Sequence, residues 1–235
     1  MDEPRRLYLR DHTRAVPLTI QPVLASWDAR GSKSQARLHT FLEHVTQALG
    51  LLLDDGQTDL CLSLEIGLPP GTSLTSHGHD LDNYLFPLAE HIGASRLTAV
   101  FGRKSHSGES SLCVSRAVSV TELVPRPMLQ VRTTTSSQNP GWKAQINAAC
   151  QDQAAGVLPD GGVALQLLIV TSRSRNWATL WKPALDALGP LLGISDPSKP
   201  YTPRDDRIVD LGLHHAVDDS LRHEVELFSW WLGVP

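Results

Sequence analysis

Acidic residues occur at two points of the sequence where they could hold a metal ion. Two carboxylates stand in the segment Asp80-Leu-Asp-Asn83, after a predicted strand and loop and where a helix is predicted to begin. Carboxylates two residues apart at such a junction can both reach one cation, and Mg²⁺ prefers oxygen ligands. A second acidic pair, Asp205-Asp206, directly precedes another predicted strand. A structural role is open for both motifs, because acidic residues also cap helices and populate turns.

The first acidic motif belongs to an internal repeat. The segments 80–93 and 176–189 start 96 positions apart and align without a gap, with proline at the eighth position of each and glycine at the end. Their polar residues are not duplicated. The two aspartates stand only in the first copy, whereas Lys182 stands in the second, where the first has Phe86. A repeat that keeps its frame but divides its reactive groups predicts one composite site between two halves.

The elements around these motifs are predicted in the same order twice. Hydrophobic patterning in the first copy predicts a strand at 16–25, a helix at 34–49, a strand at 59–66, a helix at 80–92 and a hairpin within 96–116. The second copy is predicted to hold a strand at 128–134, a helix at 142–150, a strand at 162–170, a helix at 176–189 and a hairpin formed by 208–213 and 224–231. This order predicts an α+β fold with two tandem repeats, residues 1–120 and 126–235.

Composition excludes some classes of protein and leaves others open. The chain has 235 residues, 41% of them hydrophobic and 20% charged, with a formal net charge of −4. A protein that only coats nucleic acid would be basic, so any DNA contact must come from a local patch. Three widely spaced cysteines indicate a reducing, cytoplasmic environment. The first six residues lack the apolar core of a signal peptide, and no apolar run predicts a membrane span.

Together these motifs resemble the RusA family of Holliday-junction resolvases. The resemblance rests on Asp-x-Asp-Asn opening a helix, a lysine six residues after the first position of that motif, a Leu-Asp-Ala-Leu helix end, and Asp-Asp before a strand. It covers residues 16–117 and 128–231. In that family one short chain carries the whole set and acts as a homodimer. Each half of this chain lacks part of the set, so the chain looks like a fused, diverged dimer that forms an intramolecular pseudo-dimer.

The resemblance implies an endonuclease that uses Mg²⁺ or Mn²⁺ to cleave branched or junction DNA in repair and recombination. The implied catalytic set is Asp80, Asp82, Asn83, Lys182, Asp205 and Asp206. Of these, Asp80, Asp82 and Asp206, with or without Asp205, would bind the metal, which activates a water. Lys182 would neutralise charge on the phosphate, and Asn83 would orient an aspartate.

Basic residues near the motifs are predicted to contact DNA phosphates. They are Arg173, Arg175, Arg204 and Arg207 in the second half and Arg103 and Lys104 on the first predicted hairpin. His77 and His79 precede the first acidic motif without fitting the metallo-β-lactamase pattern, and a role beside the acids is left open. The pseudo-dimer is expected to be a monomer or a weak homo-oligomer. The alternative function is a catalytically inactive descendant that binds nucleic acid or protein.

Overall fold

The computed structural model of the chain describes residues 6–25, 28–29, 31–50, 56–76, 78–120 and 124–234. His77, the start of the N-terminus and part of the predicted join at 118–127 lie outside the described residues. The helices are α1 (Lys33–Leu49), α2 (Leu81–Ile92), α3 (Pro140–Gln153), α4 (Trp181–Asp186) and α5 (Gly189–Leu192). The strands are β1 (Val16–Leu18), β2 (Leu60–Leu68), β3 (Leu97–His106), β4 (Ser110–Arg116), β5 (Leu129–Thr133), β6 (Gly162–Thr171), β7 (Ile208–Val217) and β8 (Val225–Val234).

The strands form one mixed sheet, so the chain has a mixed helix-and-sheet fold consistent with the predicted α+β class. The order across the sheet is β1-β4-β2-β3-β7-β6-β8-β5. β2 runs parallel to β3 and β6 parallel to β7, whereas the other neighbouring strands are antiparallel. The antiparallel pair β3 and β7 lies in the middle and joins the first half of the chain to the second.

Both predicted hairpins are wrong. β2 lies between β3 and β4, and β6 lies between β7 and β8, so in each half the last two strands flank the central one. In the first half the connection after β3 crosses the end of β2 at Gly67, where a side chain would overlap the main-chain oxygen of Glu109. The sequence shows two strands joined by a short turn, and this pattern does not reveal that a third strand lies between them.

The two halves of the sheet pair in matching registers. Leu60 pairs with Leu97, and the register then shifts before Cys61. The same shift follows the pairing of Val163 with Ile208 in the second half. At the centre, Phe101 pairs with Gly212. The pairing scheme in one half of the sheet therefore has a counterpart in the other.

Two other predicted elements are shorter than expected. The strand predicted at 16–25 is reduced to β1, an edge strand that pairs only with β4, because the prolines at 17 and 22 cannot donate to a ladder. The helix predicted at 176–189 is a 3-10 turn, Trp177–Leu180, followed by α4, and a break separates it from α5. Pro190 accounts for the break, since it has no N–H for an oxygen in the preceding turn.

Apolar side chains from the helices and the sheet form the main core. The buried faces of α1 and α2 come from the predicted periodicity, and the Ser32 side chain caps α1 by accepting from Gln35 N. The three cysteines are buried and free. Within the described part of the chain, no helix has both the length and the apolar content needed to cross a bilayer.

Candidate functional site

The first acidic motif lies where α2 begins. Asp80 is the N-cap residue, and Asp82 in the first turn is only 3% exposed. The helix comes close to the sheet because β3 has a glycine beneath it. A Cβ at Gly102 would lie 3.0 Å from Leu85 and 3.4 Å from Leu81. This close packing directs the first turn of α2, with its carboxylates, toward the end of β3.

The second acidic pair lies in a 3-10 turn, Asp205–Arg207, directly before β7. Arg207 fixes this turn from inside the protein. Its side chain is 1% exposed and donates to the main-chain oxygens of Leu158, Pro159, Gly161 and Leu192. The prediction that Arg207 contacts DNA conflicts with this placement, because its guanidinium is buried and its donors are engaged.

Lys182 connects the acids of the two halves. Its Nζ lies 2.5 Å from Oδ2 of Asp205, 3.8 Å from Oδ2 of Asp82 and 3.5 Å from Oδ1 of Asp186. Asp186 also pairs with Lys143 at 2.6 Å. Oxygens bound to one divalent ion lie at most about 5 Å apart, and the oxygens of Asp82 and Asp205 both lie within 4 Å of the same amine. The structure therefore brings the divided acidic residues and the predicted lysine to one place.

Lys104 also belongs to this cluster. It was predicted to contact DNA from a hairpin, but it is 2% exposed, and its Nζ donates to the main-chain oxygen of Asp206 at 2.7 Å. Burial lowers the pKa of Lys104 to about 8, although Asp80 and other nearby carboxylates oppose the change. The lysine of β3 thus holds the acidic turn of the second half from within the first half.

Burial is the main electrostatic feature of the acids on α2. It raises the pKa of Asp82 to about 7, with Lys182 opposing the rise and Asp205 adding to it. Burial and the nearby Asp205 also raise the pKa of Asp80. Burial works against the charge of Lys182, but Asp82 and Asp205 hold its pKa above the usual value. The cluster therefore concentrates negative charge where water cannot fully solvate it.

Asn83 and His79 lie next to the first motif. Asn83 Nδ2 donates to Oδ2 of Asp80 at 3.1 Å, the kind of contact expected of a residue that orients an aspartate. His79 lies 2.8 Å through Nδ1 from the hydroxyl of Tyr84, so it contacts a side chain of α2. Within the described residues, His79 makes no hydrogen bond to the acids of the cluster.

The other predicted DNA contacts are not gathered at the acids. Arg173 follows β6 whereas the acidic turn precedes β7, and these parallel ten-residue strands place them on the order of 30 Å apart. Arg173 pairs with Asp219, and Arg175 donates to His223 O and Ser137 Oγ. Arg204 is close to the turn in sequence but pairs with Asp160.

Arg103 lies on the other face of the sheet from Lys104. Its Nε is 3.8 Å from Asp210, whose carboxylate also binds Arg10. Neighbouring residues of a strand point to opposite faces, so the two basic residues predicted together cannot serve the same site. The alternation of side chains along β3 could have separated the two basic residues in advance. Lys104 lies on the same helix-facing side as Gly102 and Val100.

Comparison of the chain with known proteins gives no match, either to a protein-family model or to a curated protein. The cluster itself offers carboxylate oxygens, the donors that Mg²⁺ and Mn²⁺ prefer. Burial makes an added cation favourable beside Asp82. Across the described ranges, however, no three histidine, cysteine, aspartate or glutamate side chains are grouped as a ready ion site. The residues fit a divalent metal by donor type, and Lys182 and Lys104 are the cations beside them in this arrangement.

Proposed function

We propose that this chain is a metal-dependent endonuclease that cleaves phosphodiesters in branched or junction DNA. The observation that carries the proposal is the meeting of Asp82, from the first half, with Lys182 and Asp205, from the second. The RusA resemblance implies this set of residues, and their division between the halves predicted one composite site. A site whose residues are divided between two halves requires that those residues meet, and here they meet at the amine of Lys182.

The two halves are proposed to be tandem RusA-like repeats that form an intramolecular pseudo-dimer. The matching order and register of the strands in the two halves support this proposal. A shared register shift at the same place in each half is difficult to explain by chance pairing, because register is set by the whole pattern of a strand. A fused pair has little need of a partner, so we expect a monomer or a weak homo-oligomer.

Each residue of the cluster has a proposed role. Asp80, Asp82 and Asp206 would hold Mg²⁺ or Mn²⁺, with Asp205 beside them. When bound, the metal would supply a Lewis acid that activates water and stabilises charge on the phosphate. Lys182 and Lys104 add positive charge at the same place, and Asn83 orients Asp80.

DNA would reach this site through local contacts, since the chain carries a net charge of −4. Arg204 is the candidate nearest to the acidic turn in sequence. Arg173 and Arg175, beyond the far end of β6, and Arg103, on the opposite face of the sheet, would bind phosphates that lie away from the acids. A role in DNA repair or recombination in the cytoplasm follows from the proposed substrate and the reduced cysteines.

The second candidate is a catalytically inactive module that binds nucleic acid or protein. One observation favours it. Lys182 lies within 4 Å of three carboxylates, so the cluster already neutralises much of its own charge, as a structural ion-pair network would. Under this alternative the acids support the interface between the two halves and perform no chemistry.

The two candidates differ in whether DNA is cut. Labelled branched, flapped, single-stranded and duplex DNAs are incubated with Mg²⁺ or Mn²⁺ and wild type, Asp82→Asn or Asp206→Asn. Asp152→Asn is the matched control, because that aspartate is exposed on α3 outside the cluster. The proposal predicts cleavage by wild type and the control only. Equal binding of one DNA form by all four proteins, with no cleavage, would support the inactive module.

A further inference from the structure

The pairing of β3 with β7 at the centre of the sheet defines a counterpart position, the place in the opposite half where a second site equivalent to the acidic cluster would lie. On either side of Phe101 and Gly212, Ala99 pairs with His214 and Arg103 with Asp210. Under the proposed repeat, superimposing each half on the other places Ala99 on Asp210 and Arg103 on His214. The two pairs therefore exchange positions. Six residues of the acidic cluster then have these counterparts in the opposite half. Asp80 corresponds to Asn176, Asp82 to Ala178, Lys104 to His215, Lys182 to Phe86, Asp205 to Ala94, and Asp206 to Ser95.

At these six positions the counterpart has lost the charged groups, and the carboxylate it keeps is Glu90, which corresponds to Asp186. Neither a carboxylate nor a lysine remains among its six residues. An amide, a hydroxyl and an imidazole are poor substitutes for the acids, because protein sites for Mg²⁺ usually include one or two carboxylates. Alanine in place of both Asp82 and Asp205 removes the groups that meet at Lys182 in the acidic cluster.

The counterpart position is also filled with side chains. The indole of Trp177 is 1% exposed, and its Nε1 donates to the main-chain oxygen of Ala94 at 2.9 Å. The same ring stacks on His215, with centroids 4.9 Å apart and planes 2° from parallel. Trp181 packs against its edge with centroids 4.9 Å apart. In the acidic cluster, by contrast, a lysine donates to the neighbouring main-chain oxygen, from Lys104 Nζ to Asp206 O.

The remaining polar groups of this position are already used. Asn176 accepts from Ala178 N at 3.1 Å through Oδ1 and donates to Oε1 of Glu90 at 2.9 Å through Nδ2. His215 Nε2 lies 2.9 Å from Oγ1 of Thr171. A phosphate would have to displace a buried tryptophan and break these bonds to enter. The polar groups of the counterpart are therefore engaged within the protein.

We infer that the molecule makes one incision per binding event, so that its product is a nicked DNA in which the opposite strand is intact. This inference rests on the proposed endonuclease function. A four-way junction presents two symmetry-related strands, and cutting both in one encounter needs two sites. A molecule with one set of acids, and a counterpart that lacks them, must dissociate and rebind in the other orientation before it can cut the second strand.

The test uses the wild-type protein and a supercoiled plasmid that extrudes a cruciform. Plasmid is kept in large excess over protein, so that each plasmid meets at most one molecule, and the products are separated as supercoiled, nicked and linear forms. We expect nicked circles to appear first, with linear DNA at least about tenfold less abundant early in the reaction. Asp82→Asn serves as the control and should yield neither product.

The possible results separate the inference from the function on which it rests. Accumulation of nicked circles that depends on Asp82 supports single incision. Linear DNA as the first product, at the same low ratio of protein to plasmid, would overturn the inference while leaving an endonuclease. Absence of cleavage on the plasmid and on all branched DNAs would overturn the endonuclease function and the inference with it.

Discussion

At the scale of single residues, Asp82 carries the most unfavourable electrostatic environment of the cluster. Its carboxylate is nearly inaccessible to water, and burial raises its pKa to about 7. In the unfolded chain the carboxyl of Asp82 has the ordinary pKa of an aspartate, 3.8. Between these two pKa values the folded form binds a proton that the unfolded form has lost. The cost of burying the charge is therefore absent at low pH and complete above pH 7.

Replacing Asp82 with asparagine is expected to stabilise the fold at alkaline pH. At pH 8 we expect a gain of about 1–3 kcal/mol, or several degrees in melting temperature, and at pH 5 a much smaller one. Lys182 keeps Asp205 and Asp186 as partners, so the substitution strands no cation. Thermal melts at both pH values measure this, with Asp152→Asn as a control. A variant less stable than wild type at pH 8 would contradict the assigned environment.

Arg207 is a second residue whose burial decides its role. Its replacement by methionine should destabilise the chain by about 2–4 kcal/mol, because four main-chain oxygens lose a charged donor. Arg204→Met is the matched control three positions away. Its exposed ion pair with Asp160 is worth at most about 1 kcal/mol. Urea denaturation of both variants measures the difference, and equal losses would argue against an anchoring role for Arg207.

At the scale of elements, the connection to β4 crosses the end of β2, which places β2 between β3 and β4 in the first half. Gly67→Ala should cost about 2 kcal/mol or more, because the new Cβ would overlap the oxygen of Glu109. Gly108→Ala lies in the same connection, with open space around the position, and should change stability by less than about 0.5 kcal/mol. Denaturation midpoints compare the two variants. Similar midpoints would mean that the connection does not pass over β2.

Hydrophobic patterning predicted the individual helices and strands better than it predicted the order of the strands in the sheet. The helix predicted at 34–49 and the acidic start of α2 were visible in the sequence, because apolar periodicity, caps and glycine stops are local signals. The hairpins were wrong, since neighbours in a sheet are chosen by packing along the whole chain. The second-copy helix was predicted as continuous, although Pro190 marks the point where its hydrogen bonding fails.

At the scale of the whole molecule, the site depends on two halves that are far apart in sequence. The repeat and its divided acids predicted that Asp82 and Asp205 would meet, and the structure brings both to Lys182. The place of Lys104 was not predicted. A single lysine at the end of an apolar strand gives no sign of its neighbours, and only the alternation along β3 pointed to the helix-covered face. The scattered arginines were predicted to contact DNA because they are close to the motifs in sequence. The arrangement of the parallel strands separates them from the acids in space.

One composite site also implies that substitutions in the two halves act on the same chemistry. The measurement that tests this most directly is the single-turnover cleavage rate, on the preferred DNA, of Asp82→Asn, Asp205→Asn and the double variant. We predict that each single substitution lowers the rate at least about 100-fold and that the double variant is within a few-fold of the slower one. A single variant that cuts at the wild-type rate, or losses that multiply in the double variant, would contradict a site shared by the two halves.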